Sequence, residues 1–164
     1  MIKDECENEK LSKELYNYIK KNHKDQIINV FNQDNIIEIS PEFLGFLNIY
    51  YYLAKIIPIN FTVIDFGCGY NAQSFYFINH KKYIGVDFWP NTVRFQAPNT
   101  EFHEMLIDEY IHANKTKFIP EQTFAICSYV PNWRTNNKKL VKETFANIFT
   151  FYPSIENIQL AKGI

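Results

Sequence analysis

The sequence predicts an α/β fold of the Rossmann-like type, a three-layer sandwich with a mostly parallel, shortened sheet of about five strands and N-terminal cover helices. Two patterns predict it. Residues 61–66 are β-branched and aromatic and run directly into the turn Gly67-Cys68-Gly69, as a buried strand does. Residues 70–80 then have a helical pattern, and residues 82–87 that of a second strand. A strand, a crossover and a strand within about 30 residues form a βαβ unit, which makes the sheet parallel.

Two helices are predicted before the first strand. Apolar residues at helical spacing in a charged segment indicate an amphipathic cover helix over residues 5–20; they are Leu11, Leu15, Tyr18 and Ile19. Ser40, Pro41 and Glu42 supply a capping hydroxyl, a preset φ and an early negative charge, opening a second helix that Pro58 closes. This second helix is nearly apolar all round, so we expect it to be buried. We predict a single domain, with residues 1–58 as helical cover and residues 59–164 as the Rossmann-like core.

Three further strands and two helices are predicted after the βαβ unit. The strands are assigned to residues 100–105, 123–128 and 155–160, and the first helix to residues 106–112. The second helix is assigned to residues 137–151, where Leu140, Val141, Phe145, Ile148 and Phe149 recur at helical spacing. Such a sheet has an exposed edge, which we expect the N-terminal helices or a second copy of the chain, in a homodimer, to cover.

Composition excludes several classes of protein. The chain has 164 residues, 46% apolar residues and 17% aromatic residues, which fits one globular domain and neither a disordered chain nor a disulfide scaffold. A net charge of −1 lacks the excess that drives binding to nucleic acid or to a membrane surface. The longest apolar run, residues 49–57, is about half of a bilayer span, and no secretory signal opens the chain. We therefore expect a cytoplasmic protein.

Neither the cysteines nor the histidines have the spacing of a metal site. Cys6, Cys68 and Cys127 lie about 60 residues apart, so neither a zinc site nor a disulfide framework is indicated. We interpret Cys68 and Cys127 as small buried side chains. The four histidines, His23, His80, His103 and His112, are predicted to lie at the surface.

The turn after the first strand is the candidate binding site. In an open α/β sheet, ligands bind beyond the carboxyl ends of the strands, where the strand order reverses. Gly67 and Gly69 let the backbone fold tightly and approach a ligand without a Cβ in the way. Asp87 ends the second strand, where a carboxylate can accept hydrogen bonds from both hydroxyls of a ribose. This arrangement indicates a nucleoside cofactor.

Asp65 decides between two classes of nucleoside cofactor. Gly67, Gly69 and Ala72 satisfy G-x-G-x-x-A, so a nicotinamide or flavin dinucleotide has to be considered. A pyrophosphate at this turn would approach the Asp65 carboxylate, and like charges at short range are unfavourable in a partly buried site. S-adenosylmethionine has an ammonium, a sulfonium and no phosphate, and we therefore favour it.

Two runs of sequence resemble a known family. Val63-Ile64-Asp65-Phe66-Gly67-Cys68-Gly69 resembles the first motif of class I S-adenosylmethionine-dependent methyltransferases, and Tyr83-Ile84-Gly85-Val86-Asp87 resembles their second-strand motif. The resemblance implies that Asp65, Gly67 and Gly69 surround the methionine moiety and that Asp87 binds the ribose. We assign further residues to the cofactor site: Cys68, Phe88, Trp89, Met105 and Ser128.

The chain departs from this family at two positions. Asn71 stands where a third glycine is common, which the backbone tolerates because Asn enters left-handed conformations more readily than most residues. The third strand, over residues 101–106, lacks the acid that commonly follows it, since Asp108 comes slightly late.

The segment after the fourth strand is where these methyltransferases usually meet their acceptor. Here we assign Tyr129 and Asn132 as catalytic candidates that position the acceptor, and Trp133 and Arg134 as substrate-binding residues. Arginine would favour an acceptor with a carboxylate or phosphate. The run after Ser128 departs from the motif of base amino-methyltransferases and basic residues are few, so nucleic acid is not the expected acceptor.

These observations predict an S-adenosylmethionine-dependent methyltransferase acting on a small-molecule or peptide-like acceptor. The alternative is a non-catalytic sensor or assembly subunit that binds S-adenosylmethionine or a related nucleoside. The shortened sheet, Asn71 and the missing third-strand acid favour this alternative.

Overall fold

A six-stranded sheet organises the molecule. The computed structural model describes residues 41–69, 71–88, 97–128, 135–151 and 155–160. In chain order the helices and strands are α1 (Pro41–Ile56), β1 (Thr62–Phe66), a 3-10 helix (Ala72–Phe77), β2 (Lys82–Val86), β3 (Thr100–His103) and α2 (Ile107–Asn114). Two short 3-10 turns (Lys115–Lys117 and Pro120–Gln122) lead to β4 (Thr123–Ser128), α3 (Thr135–Thr144), β5 (Asn147–Phe151) and β6 (Ile155–Gln159).

The strand order is β3-β2-β1-β4-β5-β6, with β1 to β5 parallel and β6 antiparallel to β5. The chain moves outward from β1 to β2 and β3, then crosses to the other side of β1 to form β4. The order therefore reverses between β1 and β4, the position where α/β sheets bind ligands. Phe66 at the end of β1 stands opposite Val86 of β2 and Cys127 of β4, so these three strands end together.

Helices cover both faces of the sheet, which confirms the predicted α/β, Rossmann-like sandwich of three layers. One apolar core joins the sheet to α2 and α3; its sheet residues are Ile64, Phe66, Ile84, Val86, Ala125, Cys127 and Ile148. The other core joins the sheet to α1 and the 3-10 helix; its sheet residues are Val63, Tyr83, Phe124, Ile126 and Phe149. Alternate residues of each strand point to opposite cores, and both are apolar because the sheet is buried on two sides.

The C-terminal part of the prediction is wrong. The helix assigned to residues 137–151 ends at Thr144, and Asn147–Phe151 forms β5, a strand with no counterpart in the prediction. A strand buried on both faces has a continuous apolar pattern, which periodicity alone does not separate from a buried helix. The strand predicted over residues 155–160 is confirmed as β6, Ile155–Gln159, and the sheet has one strand more than the five predicted.

Two predicted helices differ from the structure in other ways. The helix predicted over residues 70–80 is only the 3-10 helix Ala72–Phe77, since Ser, Phe and Tyr are middling helix formers and tertiary hydrogen bonds hold the segment instead. The α1 helix ends two residues before Pro58, as predicted, but over residues 49–56, whose side chains the structure describes, it is buried on one side only. Tyr50 and Leu53 are buried, whereas Tyr52 and Ile56 are exposed.

Several predictions lie outside the described residues: the cover helix over residues 5–20, the Ser40 cap and the surface position of His23. None of the helices in the described ranges is long and apolar enough to span a bilayer. His80 corrects the prediction that the histidines lie at the surface, because it is buried and its Nε2 lies 3.0 Å from the carbonyl oxygen of Ile57.

Candidate functional site

The loop that follows β1 lies at the position where the strand order reverses. Gly67 and Gly69 have φ values of 77° and 57°, and Asn71 has a φ of 64°. All three residues are therefore left-handed, a conformation that costs an ordinary L-residue about 1–2 kcal/mol. Asn71 adopts the left-handed conformation that asparagine tolerates better than most residues. The two glycines and the asparagine are required by the backbone of this loop, whatever it binds.

Hydrogen bonds tie the loop to the end of β2. The Gly67 N–H donates to the Val86 carbonyl at 2.7 Å, and the Asn71 N–H donates to the Cys68 carbonyl at 3.0 Å. The Gly69 N–H donates to Oδ2 of Asp87 at 2.8 Å. Asp87, which the sequence assigned to a ribose, therefore lies directly beside the loop and also holds it.

The space around Gly85 and Gly69 shows which side of the loop packs against other residues. A Cβ on Gly85 of β2 would stand 2.7 Å from Oδ1 of Asn71 and 2.9 Å from Sγ of Cys68, so the loop packs into the space that Gly85 leaves. A Cβ on Gly69 would meet no atom of the described residues within 4 Å. The loop is thus packed against the sheet from below and open above Gly69, as a ligand cradle has to be.

Asp65 lies beneath the loop and has no exposed surface. Its Oδ1 accepts a hydrogen bond from the Tyr50 hydroxyl of α1 at 2.7 Å. Its Oδ2 accepts from Nε2 of Gln73 at 2.8 Å and from the Tyr83 hydroxyl of β2. Nε2 of Gln73 also donates to the Cys68 carbonyl at 2.7 Å, which connects Asp65 to the loop.

Burial, assisted by the charge of Asp87, raises the pKa of Asp65 to about 6, despite the opposing hydrogen bonds from Tyr83, Gln73 and Tyr50. Burial, together with the charge of Asp65, raises the pKa of the Tyr83 hydroxyl well above its usual value. Tyr83 is therefore a neutral donor, and Asp65 is mainly ionised at pH 7.

The predicted contact of Asp65 with the methionine moiety stays a prediction. In the structure its carboxylate has no exposed surface and accepts hydrogen bonds from three protein donors, one of which, Gln73, also binds the Cys68 carbonyl of the loop. Sequence reasoning missed the three donors Tyr50, Gln73 and Tyr83. Tyr83 and Gln73 had a signal, since a polar group is unusual in a buried strand or core and needs a partner.

A carboxylate follows the third strand, although the predicted bounds of that strand had placed this residue inside it. Since β3 ends at His103, exposed Glu104 is the first residue beyond it, and the predicted departure at this position disappears. The Asp87 N–H donates to the His103 carbonyl at 3.1 Å, which brings the ends of β2 and β3 together. The ends of β1, β2 and β3 thus each carry an acid.

The remaining predicted site residues have mixed outcomes. Phe88 follows Asp87 and is exposed, Met105 packs against the core on the α2 side, and Cys68 is buried. Ser128 ends β4 beside β1, but its side chain is outside the described residues. The same holds for the whole of Trp89, Tyr129, Asn132, Trp133 and Arg134, whose assigned functions stay predictions.

The described side chains show neither a reactive cysteine nor a metal cluster. Cys68 and Cys127 are buried free thiols, as predicted, and burial raises the pKa of Cys127 well above its usual value. Within the described ranges, no three His, Cys, Asp or Glu side chains are grouped so that they would hold a metal ion.

Comparison with known proteins gives a distant structural likeness. No protein-family model matches the sequence, and no curated protein matches it. Among solved structures, the chain is similar to a protein of Anaeromyxobacter dehalogenans provisionally assigned as a type II methyltransferase, with 14% sequence identity and a TM-score of 0.46. The match covers 63% of this chain and 46% of the other, so this chain spans about half the length of that protein. We base the fold assignment on the strand order and pairing of the sheet itself.

The buried Asp65 predicts a pH dependence of stability. Its folded-state pKa of about 6 lies above the usual 3.8, so folding disfavours its charged form. Asp65→Asn is the reference, because its amide does not titrate. The free energy of unfolding of the wild type, minus that of this variant, should be highest below pH 4 and should fall by about 2–4 kcal/mol as the pH rises to 7. Urea unfolding of both proteins at pH 4, 5, 6 and 7 measures this. A difference that stays constant, or that grows in favour of the wild type with pH, would contradict it.

Proposed function

We propose that this chain is an S-adenosylmethionine-dependent methyltransferase acting on a small-molecule or peptide-like acceptor. The observation that carries the proposal is the glycine loop at the reversal of the strand order, open above Gly69 and hydrogen-bonded to Asp87. A Cβ at Gly69 would occupy space that is empty in the structure, so the loop fits a ligand that lies against its backbone. Asp87 at the end of β2 is placed to accept hydrogen bonds from ribose hydroxyls.

The charges around the loop favour a cationic cofactor. Asp65 lies beneath the loop and Asp87 beside it, close enough that the charge of Asp87 raises the pKa of Asp65. Glu104 adds a third carboxylate at the end of β3. A pyrophosphate would face this negative potential, whereas a sulfonium and an ammonium would be attracted by it.

The segment after the loop also disfavours a dinucleotide. Dinucleotide-binding folds place the pyrophosphate at the N-terminus of an α-helix, whose aligned peptide dipoles attract it. Here the loop leads into a six-residue 3-10 helix, Ala72–Phe77. Its few peptide units supply little of that field, which S-adenosylmethionine, having no phosphate, does not require.

The cofactor supplies an activated methyl group on a positively charged sulfur, so the protein contributes mainly alignment. The loop and Asp87 would hold the adenosine, and Asp65, through Gln73, would keep the Cys68 carbonyl and the loop in place. The acceptor has to present an unprotonated nucleophile, and a proton that it carries beforehand passes to water. We propose Tyr129 and Asn132 to position that nucleophile and Trp133 and Arg134 to bind the rest of the acceptor.

Titration calorimetry tests cofactor binding. The purified chain should bind S-adenosylhomocysteine and S-adenosylmethionine with dissociation constants of about 1–100 μM, and NAD at least about tenfold more weakly. Binding of NAD alone would contradict the proposal. Release of S-adenosylhomocysteine during incubation with candidate acceptors then distinguishes the enzyme from the non-catalytic sensor, which would bind without turnover.

Substitution of Asp87 tests its proposed contact with the ribose. Asp87→Ala removes the acceptor of the Gly69 N–H and of the ribose hydroxyls, and should weaken S-adenosylhomocysteine binding by about 1–3 kcal/mol. Asp87→Asn keeps one acceptor oxygen and should give an intermediate loss. Glu121→Ala is the control, since it removes the same charge from an exposed site before β4. Equal affinities of Asp87→Ala and Glu121→Ala would argue against a ribose at Asp87.

Gly69 offers a test of the open face. Asn tolerates left-handed backbone, and a Cβ meets nothing within 4 Å, so Gly69→Asn should change the free energy of unfolding by about 1 kcal/mol or less. A cofactor lying on Gly69 would clash with the new side chain, and calorimetry should show S-adenosylhomocysteine binding weakened at least about tenfold. Unchanged affinity in a variant of normal stability would show that the ligand does not use this face.

A further inference from the structure

A groove of about 630 Å³ lies at the other end of the sheet from the glycine loop. Its lining includes the first residues of four neighbouring strands, Thr62, Lys82, Thr100 and Thr123. The lining extends along β3 as far as His103, but none of its residues belongs to the loop of residues 67–71, so the groove and the loop are distinct sites. A volume of this size is within the usual range for pockets that bind small molecules, about 300–1,000 Å³.

The groove exists because α2 is short. The eight residues Ile107–Asn114 make a helix of about 12 Å, which covers only part of the sheet face. From its end the chain runs through the two 3-10 turns back to β4, and Lys117, Phe118 and Gln122 on this return form the outer wall. The floor is the amino half of β1, β2 and β4 together with β3.

The wall of the groove is aromatic on one side. Phe118 is partly exposed, and its ring centroid lies 6.0 Å from that of Tyr110, whose ring in turn lies 5.1 Å from the His103 ring. Burial raises the pKa of the Tyr110 hydroxyl above its usual value, as does the charge of Glu101, so this side chain is a neutral phenol. A flat apolar group of a ligand could therefore pack against these aromatic rings.

The charges of the groove are unequal. Glu101 contacts Lys82 through Oε1, and its Oε2 lies 3.2 Å from Nε2 of His103, so its carboxylate is used within the wall. Lys81 and Lys117 line the same groove. Three lysines against one carboxylate leave an excess of positive charge in a partly enclosed space, which attracts anions.

We propose that this groove is a second ligand site, which binds a small organic anion consisting of a flat apolar group and one phosphate or carboxylate. The anionic group contacts Lys81 and Lys117, and the flat group packs along Phe118. The proposal is independent of the function proposed for the glycine loop, because no residue of the groove belongs to that loop.

Phenyl phosphate is a suitable probe. Its binding is monitored by two-dimensional ¹H–¹⁵N NMR of the uniformly ¹⁵N-labelled full chain. We expect saturable shifts of the amides of Thr62, Lys82 and Thr123, with phenol and inorganic phosphate each binding at least about tenfold more weakly because each has half of the recognised chemistry. Benzoate distinguishes the two anions: tighter binding than phenyl phosphate assigns a carboxylate, and weaker binding assigns a phosphate. Absence of saturation at about 10 mM, phenol binding as tight as phenyl phosphate, or shifts confined to the glycine loop would overturn the proposal.

A double variant tests the assigned lysines. Lys81→Gln with Lys117→Gln should weaken phenyl phosphate binding about tenfold, since two charge-assisted contacts are lost. Both side chains are exposed, so the fold should persist, and thermal unfolding checks this. The control is Lys142→Gln, an exposed lysine on α3 outside the groove, which should bind within about twofold of the wild type. Equal affinities of the double variant and the control would overturn the proposal.

Discussion

The buried carboxylate of Asp65 is the constraint from which the shape of the carboxyl edge follows. A charge without access to water is stable only if its hydrogen bonds are satisfied, and Asp65 finds donors on three different elements. Tyr50 comes from α1, Gln73 from the 3-10 helix and Tyr83 from β2. These bonds attach the N-terminal helix, the crossover and the neighbouring strand to one point at the end of β1. Gln73 extends the connection to the Cys68 carbonyl, and so to the glycine loop.

The loop is shaped from two sides. From below, Gly85 leaves the room that Cys68 and Asn71 fill, and from the side Asp87 accepts the Gly69 N–H. Three left-handed residues in five positions let the chain turn within this space. What remains open is the surface above Gly69, next to carboxylates at the ends of β2 and β3. The same polar interactions that stabilise the loop therefore create a negatively charged cradle, whereas the excess of positive charge lies in the groove at the opposite end of the sheet.

Local patterns were enough to predict the three central strands of the sheet. The strands β1, β2 and β4, the glycine turn, the left-handed Asn71 and the placement of Asp87 beside the turn all depend on short-range signals: β-branched runs, glycine spacing and an acid at a strand end. Other features depend on tertiary contacts. The strand at residues 147–151 is buried on both faces, so its apolar residues do not distinguish it from a buried helix. The end of β3 at His103, which makes Glu104 the first residue after the strand, also has no local signal. Asp65 was assigned to a ligand because no sequence pattern shows that Tyr50, 15 residues earlier, donates to it.

Selective ¹⁵N labelling of glycine tests the central claim most directly, since the chain has 5 glycines and two of them form the loop. If the loop is a cradle for S-adenosylmethionine, addition of S-adenosylhomocysteine should shift the amide signals of Gly67 and Gly69 in a saturable manner, and NAD at the same concentration should not. Unshifted Gly67 and Gly69 signals at saturating S-adenosylhomocysteine, or equal shifts with NAD, would contradict the account.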